Sequence, residues 1–350
     1  MARVLVIGGG IGGLFAARRL ASDQHQVTVV ERASEPVAIG AGLILPGESI
    51  AVLERAGVKA RSVAQPLSAL QITGPDGRPR AAVANRFSLS RPDLAAALLD
   101  GLHNLVDLRY GCTVREFSPG RSEVDVVLGT TGESFDFVVG ADGIRSQTRS
   151  ALSPAVSLRS SGQVCWRGIV DGARGDVATE MWDGFHRVGV VPLRQQRNYV
   201  YIVQSGTENT VPREHIGLIG GVGTRRETEA ITAMQDLHSD KVLFHELWEL
   251  SRPFWGSGRV VLIGDAAHAI TPNLGLGAAL AIEDGDVLTL VIRKGAEHAI
   301  RRYRTRRTAR VHAIQLASRA IGMTAHSNHR AVTFLRHHLG LQAIDTSPPR

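Results

Sequence analysis

The chain has 350 residues, 43% hydrophobic and 21% charged, which is enough for one large or two intimate domains and too apolar for a disordered polypeptide. Its net charge of +7 is carried almost wholly by Arg, with Lys only at 59, 241 and 294. Arg is scattered rather than clustered until about residue 293, so the charge gives no reason to expect nucleic-acid binding. Cys112 and Cys165 lie far apart with no metal-ligand spacing, and no apolar run reaches membrane-spanning length without a charge or a Pro. The expectation is a cytoplasmic protein with no membrane span and no metal.

In chain order, Arg3 to Ile7 is a short β-branched run ending in glycines and reads as a buried parallel strand. Five glycines interrupt the apolar stretch from Val4 to Leu14, and no cleavage site ends it, so it is not a signal peptide. Leu14 to Ala21 has helical spacing and Gln26 to Glu31 is a second strand, completing a β-α-β unit of about thirty residues. A helix is expected around Ser49 to Ala56. A hairpin is expected over Leu67 to Val83 with its turn at Gly74 to Gly77, and a helix over Pro92 to Leu102 with Pro in its first turn. Strands follow at Asp107 to Tyr110, Val124 to Leu128 and Phe135 to Val139.

From Gly162 to Ser205 the pattern becomes that of an antiparallel sheet, with strands at Val164 to Val170, Arg187 to Val191 and Tyr199 to Gln204. Val260 to Ile263 returns to the buried-strand pattern and Gly277 to Ile292 is helical. Glu297 to Leu339 reads as one or two amphipathic helices, and the end after Gly340 as a frayed tail.

Gly8, Gly10 and Gly13 form a G-x-G-x-x-G pattern directly after a strand and at the start of a helix. Gly8 permits the tight turn, Gly10 lets the backbone approach a pyrophosphate, and Gly13 lets helix and strand pack closely. The helix N-terminus presents free N–H groups to phosphate. Glu31 lies 18 residues past Gly13 at the end of the second strand, where an acid can accept ribose hydroxyl bonds. This constellation indicates a dinucleotide without choosing between NAD and FAD.

Two later segments choose. Val138-Val139-Gly140-Ala141-Asp142-Gly143-Ile144-Arg145-Ser146, with Arg149 following, and Val261-Leu262-Ile263-Gly264-Asp265-Ala266-Ala267-His268, continuing through Pro272 to Gly275-Leu276-Gly277, resemble the Asp-Gly and Gly-Asp motifs of the class A flavoprotein monooxygenases, the family of para-hydroxybenzoate and salicylate hydroxylases. The resemblance implies a Rossmann-type α/β FAD-binding domain with an inserted antiparallel-sheet substrate domain and C-terminal helices. Its boundaries would be 1–66, 88–157 and 259–293 for FAD, 67–87 and 158–258 for the substrate sheet, and 294–350 for the C-terminal segment.

It implies FAD contacts at Gly8, Gly10, Ile11, Gly12 and Gly13, at Glu31 and Arg32 beside the adenosine ribose, and at Gly42, Arg91 and Val114. Further contacts fall on Asp142, Asp265, Gly275, Leu276, Gly277 and Ala278. Asp142 also reads as a plain Asp-Gly turn, and Arg91 as a solvated residue before a helix. Arg167, in Cys165-Trp166-Arg167-Gly168, and Pro272 would stand at the reacting edge. Arg167 either faces the flavin, where it can hold an anionic phenolate or carboxylate, or pairs on the outer face of the sheet.

The implied chemistry is reduction of FAD by NADH or NADPH, addition of O2 at flavin C4a, and transfer of one oxygen atom from the hydroperoxide. The product would be a hydroxylated or epoxidised small aromatic or heteroaromatic substrate, made by a monomer or homodimer. A flavin reductase on the same scaffold, or a non-catalytic prenyl-protein chaperone, are the other readings. The chain departs from the family at Leu276, where Gln is usual, and at Pro46-Gly47, where Pro-Asn is common. It also reads as shortened between the middle sheet and Val260. The histidines at 312, 326, 329, 337 and 338 are expected on a solvated helix face.

Overall fold

The computed structural model describes residues 1–36, 41–172, 175–293 and 298–326. Its centre is a six-stranded sheet in the order Gly256–Ser257, Val260–Leu262, Phe137–Gly140, Arg3–Ile7, Gln26–Glu31, Asp107–Tyr110, parallel except for the first pair. Apart from the short edge strand, the strands nearest the middle are almost continuously apolar, as parallel strands covered on both faces must be. From Arg3–Ile7 the chain runs first to Gln26–Glu31 on one side, and Phe137–Gly140 later pairs on the other. The carboxyl end of Arg3–Ile7 is therefore a topological switch point, where open α/β sheets form their ligand crevice.

Helices Ile11–Ser22 and Gly277–Ile292 pack together against this sheet. Their approach is close because Gly285 lies on the Phe15–Ala16 turn: a methyl there would sit 2.8 Å from the Phe15 ring and 3.2 Å from Ala16 Cα. An antiparallel meander of Val114–Pro119, Val124–Leu128 and Thr131–Phe135 flanks the parallel sheet.

A second sheet has seven strands, in the order Leu243–Leu250, Leu158–Asp171, Arg197–Ser205, His186–Leu193, Val177–Trp182, Ala69–Thr73, Pro79–Val83. Strand Leu158–Asp171 is 14 residues long, well beyond the expected Val164 to Val170. One face of the sheet packs Val164, Trp166, Val188, Val200 and Ile202 onto helix Arg225–Gln235 through Ile231 and Met234. By strand alternation, Arg167, Glu180, Arg187, Tyr199, Tyr201 and His245 occupy the other face. The helix Arg225–Gln235 and strand Leu243–Leu250 fill the region that reads as shortened. The strongly polar sequence of the helix hides it. Gly42–Pro46, Arg86–Ser90 and Gln65–Leu67 form a separate three-stranded sheet that the sequence reading did not include.

Among its described residues the C-terminal segment forms the helix Ala299–Ala325. The expected continuation to Leu339, and His329, His337 and His338, lie outside the described residues. No helix among the described residues is long and apolar enough to cross a membrane.

Candidate active site

Four strands of the parallel sheet end on one side, and their carboxyl ends carry the glycine loop, Glu31, Asp142 and Asp265. Gly8 has φ +111°, and a methyl on it would sit 2.5 Å from the Ala141 carbonyl oxygen. A methyl on Gly13 would lie 2.0 Å from the Gly8 oxygen. These two glycines are dictated by backbone contact. At Gly10 the same test meets nothing within 4 Å, and Gly10 is exposed at the N-terminus of helix Ile11–Ser22. The backbone there is open to a phosphate group. A methyl on Gly12 would lie 3.1 Å from Ala281 Cβ, and Ile11 packs against the core.

Glu31 Oε2 accepts the Gly9 N–H at 2.7 Å and Oε1 the Ala33 N–H at 2.9 Å, so the acid braces the glycine loop and the following turn. Arg32 is exposed beside it. Gly111 and Cys112 bond back to Ala33 and Glu31, which brings Val114 to the same end of the sheet.

Asp142 accepts from Ser146 Oγ at 2.6 Å and from the Thr148 amide and hydroxyl at 3.0 and 2.9 Å. Its carboxylate is thus built into the start of helix Gln147–Leu152. Buried Arg149 donates to the carbonyls of Ile144 and Ala266 at 2.6 and 3.0 Å, joining the two motifs.

Asp265 is exposed although its neighbours from Val260 to Ala269 are buried; Pro272 and Gly275 are exposed in the same way along the next loop. Gly275 has φ +65° with no atom within 4 Å of a would-be Cβ, and at Gly277 the nearest atom is Asp265 Oδ1 at 4.0 Å. Helix Gly277–Ile292 has no acid in its first turn, so its positive end is uncompensated there. An acid at a strand end, two unencumbered glycines and a helix N-terminus fit the ribityl and pyrimidine edge of a flavin. Leu276 is buried at 3% in the main core, which accounts for the absence of Gln at this position. Ala278 packs beside it against the same core.

Arg91 follows Ser90, whose hydroxyl caps the helix Arg91–Leu99 by accepting the Asp93 N–H at 3.1 Å. Burial, then the repulsion of Arg167, lowers the Arg91 pKa, while Asp265 and Tyr199 oppose the shift. Arg91, Arg167, Asp265 and Tyr199 therefore share one electrostatic neighbourhood. Arg167 lies on the face of the sheet opposite Trp166, which is fully buried against helix Arg225–Gln235. Arg167 Nη2 contacts His245 Nε2, and its buried Nε has no acceptor among the described residues. Burial, Arg167 and Arg91 push His245 down to about 4, so it is a neutral acceptor at neutral pH. Burial holds Tyr199 up at about 12 and Cys165 up at about 11.

Gly42 lies under the Tyr199 ring, where a methyl would come within 2.4 Å of Cγ. Packing against Tyr199 is therefore sufficient to require glycine at 42.

Sequence reasoning missed Arg187 and Glu180. Arg187, 2% exposed, pairs with Glu180 at 3.1 Å and donates to Asn273 Oδ1 at 2.5 Å, tying the sheet to the loop after Pro272. Glu180 also accepts from Trp182 Nε1 at 2.6 Å and from the Tyr201 hydroxyl. Nothing in a strand reading His-Arg-Val-Gly marks that Arg as buried. His326 Nδ1 meets the Phe185 carbonyl at 3.1 Å and His312 is exposed; no group of three potential metal ligands exists among the described residues.

The family model described as FAD binding domain matches residues 1–318. The chain is 34% identical over 310 residues to 2-heptyl-3-hydroxy-4(1H)-quinolone synthase of Pseudomonas aeruginosa, covering 81% of this chain and 79% of that one. It is 30% identical to aurachin C monooxygenase/isomerase of Stigmatella aurantiaca, covering 91% and 88%. Klebsiella pneumoniae HpxO, solved with FAD and uric acid, superposes with a TM-score of 0.84 at 24% identity over 96% of this chain and 93% of that one, a likeness of fold. With three motifs in order along one sheet edge and a family match over nearly the whole chain, the protein belongs to the class A FAD-dependent monooxygenases.

Proposed function

We propose that this FAD-dependent monooxygenase draws electrons from NADH or NADPH and inserts one atom of O2 into a small aromatic or heteroaromatic substrate that presents an ionisable oxygen. The observation that carries the reading is the meeting of Arg91 and Asp265, from the motif side, with Arg167 and His245 on the facing sheet. Support for the ring system comes from the relatives: one is named for a quinolone, and HpxO was solved with uric acid, both bicyclic heteroaromatics.

In this reading residues 1–66, 88–157 and 259–293 form the FAD-binding unit and 67–87 with 158–258 the substrate sheet. Gly8, Gly10, Ile11, Gly12 and Gly13 hold the pyrophosphate at the helix N-terminus. Glu31, Arg32 and the Val114 backbone border the adenosine. Arg91, Asp265 and the backbone of Gly275, Leu276, Gly277 and Ala278 hold the flavin end. Asp142 and Gly42 act through the turn and the ring they support. Bound FAD would supply the redox chemistry, accepting hydride and activating O2.

The protein's own tasks are positioning and exclusion of water. Arg167, beside neutral His245 and close to Arg91, brings a second guanidinium to this neighbourhood, and the two positive charges favour the ionised form of a substrate oxygen. Pro272 shapes the rim beside it. The test is oxidation of NADH and NADPH in air by FAD-loaded protein with a panel of phenols, quinolones, purines and salicylates, followed by product mass. A compound that accelerates oxidation and gains one oxygen supports the reading; accelerated oxidation that yields only peroxide across the whole panel counts against it.

A further inference from the structure

A buried charge cluster lies beneath the Gly-Asp motif, and of its members Asp284, Arg307, Glu283, Arg310 and His268 only His268 belongs to the motif. Asp284 sits on helix Gly277–Ile292, fully buried. Its Oδ2 accepts the Gly264 N–H at 2.8 Å and meets His268 Nε2 at 2.6 Å, while Oδ1 accepts from Arg307 Nε at 2.6 Å. Arg307, 2% exposed, comes from the C-terminal helix Ala299–Ala325. Its remaining donors reach Glu283 at 2.6 Å and the Leu280 carbonyl at 3.2 Å, and Arg310 pairs with Glu283 at 2.6 Å.

The contact to Gly264 gives the cluster a purpose beyond core stability. Gly264 has φ +57° and ψ −141°, a backbone state that side-chain-bearing residues rarely adopt, and a methyl there would lie 3.1 Å from Ala281 Cβ. This turn is what brings Asp265 out of a buried stretch into the open. Asp284 fixes the amide on one side of it, and through His268 the far end of the short helix Asp265–His268. Burial works against the ionised form of Asp284, yet His268 and Arg307 outweigh it and hold the carboxyl well below the usual range. The C-terminal helix grips the next loop as well: Ser318 bonds the hydroxyl and carbonyl of Thr271 at 2.8 and 2.7 Å and its carbonyl accepts from Asn273 at 2.8 Å.

We infer that Asp284 is a positioning residue for the flavin site, acting through Gly264 and His268 to aim Asp265, and that Arg307 is the counter-ion making the C-terminal helix part of that site. The inference rests on the FAD reading of Asp265.

The experiment compares wild type with Asp284→Asn, Arg307→Lys and His268→Gln, reading FAD dissociation by flavin fluorescence, the visible spectrum of the bound flavin, and apoprotein unfolding. Glu249→Gln is the control. Glu249 is also an acid at 1% exposure that pairs with this helix, through Arg319 at 2.9 Å, but it touches no motif residue. Asp284→Asn and Arg307→Lys should weaken FAD binding at least about tenfold and shift the flavin spectrum, the scale of a lost charge-assisted hydrogen bond. Glu249→Gln should lower Tm and leave FAD binding within about twofold. If Asp284→Asn does not fold, the milder Arg307→Lys and His268→Gln decide. Variants that lose Tm but bind FAD as the wild type does would overturn the inference while leaving the FAD reading intact. A wild-type protein without FAD affinity would overturn both.

Discussion

At the scale of single residues, the site is a set of backbone approaches and a few aimed charges, and the two kinds respond differently to substitution. Gly13→Ala places a methyl 2.0 Å from the Gly8 oxygen, so helix and loop must separate. We expect a loss of FAD binding together with destabilisation of about 2 kcal/mol or more, measured by flavin titration and urea unfolding. Asp265 is exposed and carries no packing, so Asp265→Asn should keep Tm within about 2 °C while weakening FAD by roughly tenfold or more. A large fall in Tm would show that its role is structural. The buried Nε of Arg167 has no acceptor among the described residues. Arg167→Met should raise KM for an acidic substrate by about ten- to a hundredfold, the cost of a charged hydrogen bond, with little change for an uncharged analogue.

At the scale of elements, loops and sheet faces are fixed by buried polar contacts between segments distant in sequence. Leu276 caps helix Gly277–Ile292 from inside the core. Restoring the family residue with Leu276→Gln would bury an amide among apolar neighbours and should destabilise the protein by about 1–3 kcal/mol in urea melts. On the facing sheet, His245 is held near pKa 4 in the folded protein, against 6.5 for an ordinary imidazole. Between those values the unfolded chain binds the proton and the folded chain does not. The contribution is therefore intact above pH 6.5 and is lost as pH falls toward 4. His326, held down to about 4 by burial and Arg187, shares that window, so the test is a difference. The stability of His245→Asn should fall less steeply than that of the wild type between pH 6.5 and 4.5; parallel curves would refute the assignment.

At the scale of the whole molecule, what could be read from the sequence was the half governed by local rules. The glycine loop, Glu31, Asp265 and the parallel strands follow from turn geometry, strand burial and helix dipoles, each confined to a few consecutive residues. The face of Arg167 was open because strand alternation fixes only that Trp166 and Arg167 oppose each other. Trp166 packs against helix Arg225–Gln235, which puts Arg167 on the opposite face of the sheet, and that helix comes from a separate, strongly polar stretch of the chain that strand alternation does not reach. Arg187, Glu180, His245 and Arg307 stayed hidden because their partners lie up to 86 residues away, as with Arg187 and Asn273. Asp284 is one of three acids, with Glu283 and Asp286, in the apolar run from Ala278 to Ile292, and nothing local marks which of them is fully buried.

The site assigns the flavin a place between the Asp265–Gly277 segment and the sheet face bearing Arg167. A crystal structure of the FAD complex tests it directly. The expected complex has the ribityl chain bonded to Asp265, the pyrimidine edge on the backbone of Gly275 to Ala278, and Arg167 facing the ring across the substrate space. A flavin ring bound elsewhere, or an Arg167 turned away from it, would contradict the claim.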